Sequence, residues 1–226
     1  MFQMILWKEG KENFWKLLFC GSVSAVFTIM LFRIRIIPDS PNCFIISFIQ
    51  MFIIPIVYCL DIFSGEISNR TIYLLFKIPV PRWMIFFSKF IVSAFSIVLV
   101  FLMSSILMEV MAQGREAPVF YLMRINMLFG ATALLLFTWF CPFGCQSRSE
   151  AGSLAAMFAV FVGWAIVLLW SVSCEVTWAE RIVPYLFILV LARNISLAGI
   201  AISQVFLFAL ALIIACYRYV SIRRYL

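Results

Sequence analysis

Few residues in this chain have types and spacing suited to chemistry of their own. There is no histidine, no nucleophile with a base beside it and no carboxylate cluster inside an apolar run, so the ingredients of acid–base or covalent catalysis are missing. Cys141 and Cys145 flank Pro-Phe-Gly, a spacing open to a metal or redox pair, but no second cysteine pair with zinc spacing accompanies them. Cys20, Cys43, Cys59, Cys174 and Cys216 sit in apolar runs and read as small buried residues. No G-x-x-x-x-G-K-[ST] run is present, so the chain has no phosphate-cradling loop. What remains is regularly spaced charge, and its longest stretch covers residues 61–89 between two apolar runs.

Positioning that stretch is the work of an oily chain. With 65% hydrophobic residues, 12% charged residues and a mean hydropathy of +1.11, its composition lies outside the range of soluble domains. An all-α integral membrane protein with one transmembrane domain is expected. A hydrocarbon core about 30 Å thick needs roughly 20 apolar residues per helix, so the length suits about six spans with short connections. The net charge of +7 is spread along the flanks of apolar runs, which indicates orientation in a membrane and not nucleic-acid binding.

Residues 1–16 mix Trp7 and Trp15 with Lys8, Glu9, Lys11, Glu12 and Lys16, the pattern of an amphipathic segment lying in the interface, and no A-x-A cleavage signal follows. The spans are expected at 17–37, 43–63, 83–108, 121–143, 151–173 and 194–217, with a turn at Pro38-Asp39-Ser40-Pro41-Asn42. Residues 178–193 contain too short an apolar core to cross and read as a re-entrant or interfacial hairpin. A basic tail follows at 218–226. With this count, eleven of the basic residues, including every lysine, fall on the side of the two termini and six on the other. The positive-inside rule therefore places both termini and the 64–82 segment in the cytoplasm.

Within that segment Ile67, Thr71, Leu74, Leu75 and Ile78 share one helical face, whereas Glu66, Asn69, Arg70, Tyr73 and Lys77 fall elsewhere. Ser64 can cap the helix, Glu66 suits its first turn, and Pro79 with Pro81 ends it. A surface helix offered to a soluble partner and a plain connecting loop both fit this pattern.

The order Glu66-x-x-x-Arg70-Thr71-Ile72, Leu74-Leu75, Pro79-x-Pro81-Arg82 and Lys89 resembles the loop after the second span of ABC-2-type transporter permeases. Arg70 stands where that pattern usually has Gly. The resemblance extends over the whole chain, through an N-terminal interfacial elbow, six spans, a re-entrant hairpin and a basic tail. It implies that 64–82 carries a coupling helix, with Glu66, Ile67, Asn69, Arg70, Thr71, Leu74, Lys77 and Arg82 as the ATPase-coupling residues. It also implies two ATP-binding cassette subunits holding ATP and Mg, a second permease chain, identical or homologous, and export across a bacterial cytoplasmic membrane, with room for an accessory subunit. This chain would itself be no enzyme and hold no cofactor.

Gln50, Asn126 and Gln204 are the polar residues expected inside the bilayer. Each can line a pathway or bond to a neighbouring helix, packing being the commoner role. Asp61 and Glu109 fall near span ends, where hydration makes charge inexpensive. A scaffold that docks the ATPase without moving a solute, or a haem-handling permease of cytochrome c maturation, is the alternative function.

Overall fold

A computed structural model describes residues 2–34, 39–60, 63, 77, 79–112, 121–145, 150–173 and 197–221. They form six helices: α1 (Phe2–Ile34), α2 (Asp39–Cys59), α3 (Arg82–Ala112), α4 (Tyr121–Gly144), α5 (Glu150–Ser173) and α6 (Leu197–Ser221). Five of them, all but α5, are long and apolar enough to cross a membrane, and α5 contributes a shorter apolar stretch at Ala151–Ile166.

The N-terminal segment expected at 1–16 is not set off from the first span by any break. Phe2–Ile34 is one helix of 33 residues, about 50 Å long at 1.5 Å per residue. Nothing in its sequence interrupts it: proline is absent, and the Asn13 amide folds back onto the Glu9 carbonyl at 2.9 Å. The turn expected at 38–42 is shorter than its composition suggests. Asp39, Ser40, Pro41 and Asn42 already belong to α2, because proline is tolerated in a first helical turn, where its missing N–H has no partner to lose. Pro55, farther along α2, is buried and the helix runs through it.

α3 and α4 form the centre of the bundle. α3 packs against α1, α4, α6 and α2, while α4 also meets α2, α5 and α6. Cross-helix pairs fix the directions. Glu9 meets Lys89, and Gln50 joins Ser24 to Ser104, so α1 and α3 run parallel with a constant offset. Asn126 lies against Ser105 and Phe90 against Phe137, so α3 and α4 are antiparallel. Phe90 against Phe208 and Arg82 against Val220 likewise set α6 antiparallel to α3. The starts of α1 and α3 and the ends of α2, α4 and α6 therefore gather at one end of the bundle.

The buried face of α3 carries Ser88, Ser93, Ser96, Ser104 and Ser105. Small residues let helix backbones approach closely, which is how helices associate in lipid where apolar burial gives no net drive. Several of these hydroxyls satisfy themselves locally, as Ser93 does on the Lys89 carbonyl (2.7 Å) and Ser96 on the Val92 carbonyl (2.8 Å).

Gly130 on α4 serves the same close approach: an added Cβ would stand 3.0–3.2 Å from side-chain atoms of Phe101. Gly21 on α1 faces open space, with nothing within 4 Å of such an atom. Replacing Gly130 by Leu should therefore cost about 1–3 kcal/mol of stability through overpacking. Gly21→Leu should leave the thermal unfolding midpoint in detergent near that of the parent.

Candidate functional site

The end of the bundle where the 64–76 segment leaves is built from three contacts. The first is aromatic. Phe63, just past α2, is almost wholly enclosed, with its ring centroid 5.7 Å from Phe86 of α3 and 6.0 Å from Tyr219 of α6. Phe86 and Tyr219 are themselves 5.6 Å apart, so the three rings close a triangle across α3, α6 and the end of α2.

The second contact is polar. Arg82, the first residue of α3, donates from Nη1 to the Val220 carbonyl in the last turn of α6 at 3.0 Å. Helix C-terminal carbonyls lack intrahelical partners and carry partial negative charge, so an arginine there is doubly favourable. Next to it Val80 is buried, and the Pro81 carbonyl accepts the Met84 N–H at 2.9 Å, starting α3.

The third is an ion pair. Lys89, two turns into α3, places Nζ 3.0 Å and 3.1 Å from the two carboxylate oxygens of Glu9 on α1. The side chains are 1% and 2% exposed, so both charges are withdrawn from solvent and lipid alike. At such burial, mutual attraction has to offset the desolvation of two ions, and a lone survivor is strongly unfavourable.

Of the residues expected to couple to an ATPase, Glu66, Ile67, Asn69, Arg70, Thr71 and Leu74 lie outside the described residues. Lys77 is exposed, and Arg82 is held on α6 as above. The expected re-entrant segment at 178–193 also lies outside them.

The three intramembrane polar residues do not converge on one site. Gln50 donates from Nε2 to Ser24 of α1 at 2.6 Å and to Ser104 of α3 at 3.0 Å, and its Oε1 accepts from Ser104 at 3.2 Å. One amide thus joins α1, α2 and α3. Asn126 accepts from Ser47 of α2 at 2.7 Å and donates to the Phe101 carbonyl and the Ser105 hydroxyl of α3, at 3.0 and 2.8 Å. It joins α2, α3 and α4. Gln204 is buried on α6. Glu109 is half-buried toward the other end of α3, with Oε1 enclosed. Cys141 on α4 and Cys145 just past its end are buried and form no disulfide, and among the described residues no group of three or more metal-ligating side chains occurs.

Sequence reasoning placed Lys89 at the start of a span and Glu9 in the interface without joining them. The signal was there: an ionisable residue inside an apolar run needs a partner, and Glu9 is a carboxylate at a matching depth. This arrangement offers no reacting atoms. It offers direct contacts between the exits of the 64–76 segment and four helices.

Comparison with protein-family models and with curated proteins finds no match for this chain. The fold and the site define its class by themselves: it is a helical, multi-pass membrane protein.

Removing one member of the ion pair should be far worse than removing both. Lys89→Met is expected to cost about 3–5 kcal/mol by stranding Glu9. The double variant Glu9→Leu with Lys89→Met should recover most of that loss, read as fold recovery in an SDS-unfolding titration. Asn126→Leu should cost roughly 1–2 kcal/mol, the upper range for interhelical hydrogen bonds in membranes. Unchanged unfolding in that variant would exclude a bracing role.

Proposed function

We propose that this chain is a permease subunit of an ABC-2-type exporter, working with a second permease chain and two separate ATP-binding cassette subunits. The reading is carried by the Glu66-x-x-x-Arg70-Thr71-Ile72 to Lys89 pattern, in a segment whose flanks at Phe63 and Arg82 are held in the bundle. ATP and Mg belong to the partner subunits. Closure of the ATPase pair displaces a coupling helix at 64–78, with Glu66 and Arg70 meeting the ATPase and Ile67, Thr71 and Leu74 facing the bundle. Its motion enters α2 through Phe63 and α3 through Arg82, and reaches α1 through Lys89 and Glu9.

In this reading the first turns of α1 take the place of the interfacial elbow, and residues 178–193 form a re-entrant hairpin at the opposite end. Both termini lie in the cytoplasm of a bacterial cell. Gln50 and Asn126 brace the spans. Arg70 in place of Gly adds a cation to the docking face, suited to an acidic patch on the ATPase.

The decisive experiment is co-purification of the permease with its ATPase, followed by substrate-stimulated hydrolysis and solute movement in sealed vesicles. Glu66→Ala and Arg70→Ala should each lower coupling about tenfold, the loss of a contact worth roughly 1.4 kcal/mol, without altering insertion. Full coupling in both variants overturns the proposal. ATP-dependent assembly without solute movement would favour the scaffold.

A further inference from the structure

We infer that the outward face of the first turns of α1 is a seat for an anionic phospholipid, with Lys11 as the contact to its phosphate. The face is an open groove of about 860 Å³, and Leu6, Trp7, Gly10, Lys11, Phe14 and Trp15 line it. Gly10 forms its notch, with nothing within 4 Å of the position a Cβ would take. Trp7 and Trp15 on either side are each 73% exposed. Indole rings with one apolar body and one N–H suit the glycerol and headgroup level of a bilayer.

Depth supports that level. Lys11 and Arg33 lie 22 positions apart on one helix, about 33 Å along its axis, close to the roughly 30 Å of a hydrocarbon core. Lys11 thus reaches one interface when Arg33 reaches the other.

Charge selects the occupant. Glu9 is turned inward onto Lys89, and Glu12 is paired with Lys8 at 3.5 Å. Lys11 has no carboxylate among the described residues; its ammonium rests over the Trp7 ring, 5.6 Å from the centroid. An exposed cation over an aromatic floor, beside an apolar notch, matches a phosphate above acyl chains.

Native mass spectrometry of the full chain in detergent, with phosphatidylglycerol or phosphatidylcholine added, tests the inference. The parent should retain phosphatidylglycerol about fivefold better, the preference one surface lysine gives. Lys11→Gln should remove that preference and Lys11→Arg should keep it. Arg124→Gln, the same loss of charge at an exposed site toward the other end of the bundle, should also keep it. Both side chains are exposed, so unchanged melting temperatures of the three variants confirm intact folds. Equal retention of both lipids by the parent, or a full preference in Lys11→Gln, overturns the inference. So does displacement of the lipid by inorganic phosphate, which would mark a free-anion site, or disulfide-linked dimers of Gly10→Cys that phosphatidylglycerol fails to suppress. The inference holds or fails independently of the transport reading, because no ATPase enters the experiment.

Discussion

The structure depends on a rule of the bilayer: a charge or hydrogen-bonding group that leaves water has to find its partner inside the protein. Lys89 meets that rule with Glu9, at 3.0 and 3.1 Å. Since apolar side chains gain nothing by leaving lipid for one another, oily contacts alone would let α1 slide along α3. The ion pair stops that. Further along, Ser24 and Ser104 meet on the two sides of Gln50 at the same offset, so two polar contacts on separate turns specify a single register. A shift by one residue would strand two buried charges and an amide together.

Much of this was legible in the sequence, and for a physical reason. Hydrocarbon thickness sets the length of a span, so the third, expected at 83–108, is observed at Arg82–Ala112, and the fourth, expected at 121–143, at Tyr121–Gly144. Element boundaries in polar stretches were less legible. Charge near Lys16 suggested a separate segment, but charge does not break a helix, and Lys8 with Glu12 one turn apart is a pattern that supports one. Prolines at 38 and 41 suggested a turn, although a helix can open through a proline. The pairing of Glu9 with Lys89 is a property of three-dimensional register, which composition and periodicity do not carry. The same holds for Gln50 and Asn126, whose types announced a need for partners without saying which serines would supply them.

The placement of these polar groups divides the bundle by stiffness. Gln50 and Asn126 each tie three helices in the interior, where an unpaired amide is costly, so α1 to α4 resist separation there. At the end beside 64–76, the ties are different in kind. Phe63, Phe86 and Tyr219 meet through rings at angles between parallel and perpendicular, contacts that tolerate sliding better than a hydrogen bond does. Arg82 holds a carbonyl at an exposed site, where water can replace either partner. A force applied at that end would meet a yielding aromatic layer first and a fixed polar frame behind it.

Burial of Glu9 has a second effect on α1. In the first turns the two glutamates and three lysines nearly balance, yet the balance is not kept on the surface. Lys89, which belongs to another helix, takes Glu9 inward, and Glu12 is left to pair with Lys8. The inner stripe of the helix, through Glu9, Asn13, Cys20, Ser24 and Thr28, becomes polar or small and buried. The outer face becomes cationic and aromatic. A helix with an unremarkable spread of charge along its sequence therefore acquires its polarity only on packing, because one partner of the register-setting ion pair is drawn from its own supply of acid. Register and surface charge at this end of the protein are consequences of the same contact.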